Sequence, residues 1–275
     1  MGIYGQDWAS YQSSNPDTSG LSFVFIKVTE GLSYTNPEWT DQRDHARANG
    51  LVVGYYHYPH MANSVEAEAD RFLATAQPQP GDILVLDWEG YDSANSGVSH
   101  ADQLAYKEAW LRYVKQKAPA NPVGMYCNFD YWENVDTTGY VADFLWIATA
   151  GRSAGDPGIR ANWLFHQYSD NPVDQDYCHL DSTDALSSWA LSFAPSGPAW
   201  PGEYLRLQTP EIHDSNVRAW QQRMSDRGWH ITVDGWYGPA SASICRQFQA
   251  EKGLTQDGIV GPATWACAFR TDNVT

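Results

Sequence analysis

Short apolar runs recur along the first two thirds of the chain, and each stops abruptly at polar or aromatic residues. Phe23-Val24-Phe25-Ile26-Lys27-Val28-Thr29 runs into Glu30-Gly31, and Leu51-Val52-Val53-Gly54-Tyr55 into Tyr56-His57-Tyr58. Ile83-Leu84-Val85-Leu86 likewise meets Asp87-Trp88-Glu89-Gly90. Runs of this length bounded by turn residues are the pattern of strands buried on both faces. Residues 2–8 form a shorter first strand, 123–128 and 144–149 a fifth and sixth, 163–168 a seventh and 173–178 an eighth. Between the early strands the apolar period lengthens to that of helices, at 37–49 (Asn36 as N-cap, Gly50 closing it), 64–77 and 99–117.

A helix between consecutive strands makes those strands parallel neighbours. After the sixth strand the connections shrink to 151–162 and 169–172, and the second is too short for any crossover, so the last strands should run antiparallel. The pattern predicts an α/β fold: an irregular eight-stranded (β/α) barrel that loses its helices toward the end. Asp7, Glu30, Tyr56 or Tyr58, Asp87, Glu89, Tyr126, Trp146 and Tyr168 would then meet at the mouth formed by the strands' carboxyl ends, where such folds place their chemistry.

Beyond the barrel, residues 197–202 hold four Pro/Gly in six positions, and 193–212 reads as a linker between a domain at 1–192 and a second at 213–275. The second carries an internal echo. Asp234-Gly235-Trp236-Tyr237-Gly238-Pro239-Ala240-Ser241 is answered by Asp257-Gly258-Ile259-Val260-Gly261-Pro262-Ala263-Thr264. Each copy is a tight turn followed by a helix start, and with a helix at 216–227 the pattern predicts a three-helix module.

Composition narrows the function. The chain has 275 residues, 43% hydrophobic and 14% aromatic, with 13 Trp, enough for a filled core and for rings on which sugars stack. Its net charge is −16; residues 213–275 hold six basic and six acidic residues, so the whole excess lies in 1–212. No basic patch points to nucleic acid, and no apolar run reaches the length for membrane insertion. The four cysteines lack metal-ligand spacing and sit among apolar neighbours, so buried free thiols are expected, with no metal or cofactor and a monomer.

The sharpest local signal is Asp87-Trp88-Glu89. Side chains two apart on a strand share a face about 6.6 Å apart. Two such acids raise each other's pKa, and burial raises them further, as a general acid near neutral pH requires.

The ordered set of motifs resembles two families. Residues 1–192 resemble the glycoside hydrolase family 25 lysozymes, through Gly5-Gln6-Asp7, Ile26-Lys27-Val28-Thr29-Glu30-Gly31 and Gly54-Tyr55-Tyr56-His57-Tyr58. Further along come Leu86-Asp87-Trp88-Glu89, Gly124-Met125-Tyr126, Leu145-Trp146-Ile147-Ala148, His166-Gln167-Tyr168-Ser169 and Val173-Asp174-Gln175-Asp176. The resemblance implies cleavage of the β-1,4 bond after N-acetylmuramic acid in bacterial peptidoglycan, with Asp7, Asp87, Glu89 and Asp174 as the acidic cluster, Asp176 being the alternative fourth acid. Glu89 is expected as general acid/base, with Asp87 either orienting the sugar's own 2-acetamido group or leaving an Asp to attack directly. The substrate-binding candidates are Glu30, Tyr56, Tyr58, Tyr126, Trp146, Gln167 and Tyr168, and His57 is expected to be structural. Trp8 and His166 depart from the family pattern and are expected on the walls of the site. The tail, with Trp220-Gln221-Gln222, Phe248-Gln249, Gly253-Leu254 and the two D-G turns, resembles a peptidoglycan-binding domain. The opening residues have no basic stretch followed by an apolar one. The expected setting is therefore a phage endolysin made in the host cytoplasm and acting on the wall, or a secreted enzyme whose leader has been removed.

Overall fold

The computed structural model describes residues 2–90, 92–194, 198–252 and 254–269. The chain divides into two compact units, 1–115 with 121–191, and 116–120 with 192–275.

The first unit is a closed barrel. Its strands are β1 (Ile3–Trp8), β2 (Phe23–Glu30), β3 (Tyr34–Thr35), β4 (Val52–Tyr58), β5 (Ile83–Asp87), β6 (Val123–Asn128), β7 (Phe144–Ala148), β8 (Phe165–Ser169) and β9 (Gln175–Cys178). The order around the barrel is β1-β9-β8-β7-β6-β5-β4-β2, closed by parallel pairing of β2 with β1, while β3 hangs on β2 as a hairpin. Neighbours are parallel from β1 through β2 and β4 to β8; β9 alone enters antiparallel, between β8 and β1. The β1–β2 crossover holds no helix; α1 (Trp39–Ala48), α2 (Val65–Ala76) and α3 (His100–Lys117) fill the connections from β2 to β6. The connection from β6 to β7, residues 129–143, holds one π-helical turn, Tyr131–Val135, in place of a crossover helix. The expected loss of helices toward the end is present.

Two local expectations differ. Asn36 does not cap α1; its Oδ1 accepts from the Glu38 N–H and its Nδ2 donates to the Lys27 carbonyl, tying the helix entry to β2. An unexpected helix, α4 (Thr183–Leu191), follows β9. Ser182 Oγ accepts from the Ala185 N–H at its start, and Leu186 and Ala190 plug the barrel beside Ile3, Ile83 and Phe144.

The barrel interior is an aromatic stack. Phe25 lies parallel to Trp146 at 4.3 Å and edge-on to Phe165 at 4.9 Å. Such rings contribute about 1.5–3 kcal/mol each when fully buried. Gly54 makes room for them, because a Cβ there would lie 2.2 Å from Phe25 Cδ1. This layer is the floor on which the polar mouth rests.

In the second unit, α5 (Ser215–Asp226), α6 (Pro239–Glu251) and α7 (Pro262–Phe269) enclose Trp220, Tyr237, Phe248 and Trp265. The stretch expected as a linker is largely part of this unit: Leu205 is fully buried and exchanges both backbone hydrogen bonds with Val260. Burying Leu205 outweighs the Pro/Gly signal around it. Residues 195–197 of that stretch, Gly253 and the tail at 270–275 lie outside the described residues.

Candidate active site

Strand parity decides which side chains reach the mouth. Trp88, between the two acids, turns outward and is fully buried, donating Nε1–H to the Gln103 carbonyl at 3.1 Å and meeting Tyr131 edge-on. Asp87 and Glu89 therefore face inward, although β5 itself ends at Asp87. They line a cavity of about 320 Å³ with Asp7, Asp174, Tyr56, Tyr126, Trp146, Gln167 and Asp170. The alternation that sends Gln167 inward sends Tyr168 outward, edge-on to Tyr4, so Tyr168 does not line the cavity. Of the tyrosine alternatives on β4, Tyr56 lines it and Tyr58 does not. Glu30 also lies off the lining; its carboxylate is held by Lys27 Nζ at 2.6 Å and His60 Nε2 at 3.2 Å.

Hydrogen bonds fix the cavity wall. Gln167 Nε2 donates to Asp7 Oδ2 at 2.7 Å and its Oε1 accepts from Tyr126 Oη at 2.9 Å. Asn128 Nδ2 donates to Glu89 Oε2 at 3.3 Å. Asp176, the alternative fourth acid, is fully buried behind the wall and takes the Trp146 Nε1–H at 2.8 Å, whereas Asp174 lines the cavity itself.

The electrostatics follow from crowding acids in a dry place. Burial, then the Asp174 charge, pushes Asp7 up to about 8, against the Gln167 hydrogen bond. Burial, then the Glu89 charge, raises Asp87 well above the usual carboxylate range, with Lys27 pulling it back. Burial likewise raises Glu89, opposed by the Asn128 hydrogen bond and Lys27. Burial and Asp7 raise Asp176, and burial and Asp170 raise Asp174. At neutral pH such a cluster holds protons that isolated acids would have lost.

Sequence reasoning missed Lys27, Asn128 and Asp170. Lys27 and Asn128 stand within quoted strands and could have been found by projecting inward parity to the strand ends; Asp170, in a loop, gives no such signal. Trp8 and His166, expected on the site walls, face away: Trp8 is fully buried, and His166 bonds Thr149 Oγ1 and accepts from the Gly155 N–H. His57 is fully buried between Thr29 and Glu68, which Tyr106 also holds, outside the cavity. Glu30, His60 and Asp92 each bring a ligand atom within 4.8 Å of the others, but the Lys27 ammonium already supplies a cation to Glu30.

Inward acids at the mouth of a barrel closed by one antiparallel strand match a known design. Residues 5–177 match glycosyl hydrolases family 25. The chain belongs to this family. Residues 213–267 match the putative peptidoglycan binding domain. Over 256 residues the chain is 32% identical to an autolytic lysozyme of Clostridium acetobutylicum, covering 91% of this chain and 72% of that protein. It is 32% identical over 181 residues to an N,O-diacetylmuramidase of Chalaropsis sp, covering 59% of this chain and 84% of that one. The bacterial lysozyme structure from Streptomyces coelicolor superposes with a TM-score of 0.61 at 24% identity, covering 70% of this chain and 99% of that one, which speaks for the fold. The family-25 chain is a glycoside hydrolase.

Proposed function

We propose that this glycoside hydrolase is a muramidase, cutting the β-1,4 bond between N-acetylmuramic acid and N-acetylglucosamine in peptidoglycan. The observation that carries the reading is the placement of Glu89 and Asp87, both half-buried, side by side in one cavity at the barrel mouth, with Asn128 steering Glu89. Protonated Glu89 gives its proton to the glycosidic oxygen as the bond from C1 breaks. The sugar's 2-acetamido oxygen attacks C1, and Asp87 accepts the acetamido N–H and balances the positive charge that forms. Asp87 is ionised while Glu89 holds the proton, because the Glu89 charge that raises it is then gone and Lys27 still favours its carboxylate. Glu89, now a carboxylate, takes a proton from water as that water opens the ring intermediate. Asp7 and Asp174 hold the acetamido group or a water and set the protonation of the central pair; Tyr56, Tyr126 and Trp146 contact the sugar. The module at 213–275 anchors the enzyme to the wall, the partner being peptidoglycan and the active chain a monomer.

Mass spectrometry of fragments released from purified walls tests this: reducing-end muramic acid is expected. Reducing-end glucosamine would make the enzyme an N-acetylglucosaminidase, and chitin cleavage with intact walls a chitinase. No fragments at all would leave a glycan-binding protein. A covalent adduct trapped on an aspartate by a fluorinated sugar would replace the acetamido route with direct attack. For the setting we propose a phage endolysin; a role in autolysis is a second reading, favoured by the 91% of this chain that pairs with the autolytic lysozyme. Sequencing the flanking genes tests the setting: a gene for a membrane-permeabilising lysis protein beside this one would support the first reading, and its absence from a phage-like cluster the second.

A further inference from the structure

The second unit contains its own control experiment, because its two D-G turns are built on the same hydrogen-bonded scaffold and differ at the outer positions, besides a buried Tyr237 in the first where the second has a buried Val260. In the first, Gln221 Oε1 accepts from the Gly235 N–H, and its Nε2 donates to Asp234 Oδ1, the Trp236 carbonyl and Ser241 Oγ. In the second, Gln249 makes the same four bonds, to Gly258, Asp257, Ile259 and Thr264. A crossing segment then pairs with each turn: the Ile212 carbonyl accepts from the Tyr237 N–H, and the Leu205 carbonyl from the Val260 N–H, both at 2.9 Å. Ile212 thus corresponds to Leu205, Glu211 to Tyr204, Trp236 to Ile259 and Gly238 to Gly261.

The outer positions diverge in a directed way. Over Gly261 the chain lays its own ring, with Tyr204 Cε1 2.9 Å from where a Cβ would stand. Over Gly238 the corresponding residue is Glu211, whose carboxylate oxygens approach no closer than 3.4 Å to that position. Beside it Trp236 is 48% exposed, backed on one side by His213 at 4.2 Å and 28°, where the second turn has a half-buried Ile259. The shared scaffold does not require an indole here, since Ile259 serves it equally. An exposed Trp held flat by a stacked partner, next to a carboxylate, is the pairing that grips a sugar: the ring face takes the C–H side of a pyranose and the carboxylate accepts its hydroxyls.

We propose that Trp236, with His213 behind it and Glu211 alongside, is the glycan-binding site of this module, taking one pyranose ring of the wall's sugar strand where Tyr204 fills the sister turn. The inference rests on the reading of this module as a wall anchor.

The test uses the full chain carrying Glu89→Gln, so that walls survive the measurement, sedimented with insoluble peptidoglycan either intact or stripped of stem peptides by an amidase. Trp236→Ala is expected to raise the apparent Kd roughly ten-fold on both preparations. Trp236→Phe should stay within about three-fold of the parent, and Ile259→Ala should match it. Glu211→Ala, exposed and free of any packing role, should weaken binding about three-fold, and it decides the matter should Trp236→Ala fail to fold by circular dichroism. Parent-like binding by Trp236→Ala or, in that event, by Glu211→Ala overturns the proposal. A Trp236→Ala defect on intact walls that vanishes on stripped glycan overturns the sugar in favour of the peptide. A parent that binds neither preparation removes the anchoring reading itself, and this site with it.

Discussion

Gln167 and Asp7 lie 160 residues apart in sequence, yet the Gln167 amide donates to the Asp7 carboxylate at 2.7 Å. That bond opposes the burial and the Asp174 charge that lift Asp7 from 3.8 to about 8. Below about pH 4 both folded and unfolded chains hold this proton. Between about 4 and 8 the unfolded chain releases it and the folded one keeps it, so stability drains away as pH rises. Asp7→Asn has no proton to lose there. We expect it to unfold at a higher Tm than the parent at pH 8, by about 2–8 °C, with the gain shrinking toward pH 4, while wall lysis falls more than ten-fold. Equal Tm differences at both pH values would place the proton elsewhere.

Glu89→Gln should abolish lysis to well under a tenth of the parent rate, since general acid catalysis contributes about 10²–10⁴-fold. Fold retention, checked by circular dichroism, is expected from its near-identical shape.

Asn128→Ala removes the hydrogen bond that favours the ionised form of Glu89. The Glu89 carboxyl should then hold its proton to still higher pH, moving the alkaline limb of the kcat/KM profile upward, with the maximum rate down by less than about ten-fold. A limb that stays in place or moves down would separate Asn128 from the acid's protonation.

Lys107 is fully buried, paired with Asp136 at 3.0 Å and lying over the Trp88 ring at 5.1 Å. Lys107→Met strands the Asp136 charge and should cost about 3–5 kcal/mol in chemical denaturation. Adding Asp136→Asn should recover part of that loss, because the orphaned charge goes with it. Lysis should fall further than stability alone explains, since Trp88 sets the facing of Asp87 and Glu89.

Gln249→Leu leaves the buried Gly258 N–H without its acceptor and three other groups without their donor. It should melt the second unit alone, by roughly 2–4 kcal/mol, seen as loss of wall binding while cutting of soluble fragments persists.

The barrel and its central acids were legible because strand periodicity is local and strong: the run 83–86 could only be a buried strand, and parity carried Asp87 and Glu89 inward. Asp7, Asp174 and Gln167 came from ordered motifs. Tyr168 was misplaced for want of that same parity rule, and Glu30 because nothing in the sequence shows that Lys27 and His60 already hold it. Asp170 sits in a loop, where no period reports direction. Helix α4 was invisible because its packing face, Leu186, Trp189 and Ala190, is only three residues in a stretch rich in Ser, Thr and Asp. The linker was misjudged because Leu205, with Trp200 and Ile212 beside it, packs the stretch onto the second unit's core, and Pro and Gly around them spoke louder.

Because β9 enters last and backwards, between β8 and β1, the cavity exists only once the chain's beginning has met residues 175–178. Asp7 is made first and waits for partners on β8 and in the approach to β9. A chain short of that point carries Asp87 at the end of β5 and Glu89 just beyond it, without the wall that Asp7, Gln167 and Asp174 supply. The cavity is therefore a property of the closed barrel and not of β5 alone: its wall is assembled from the two ends of the unit's sequence.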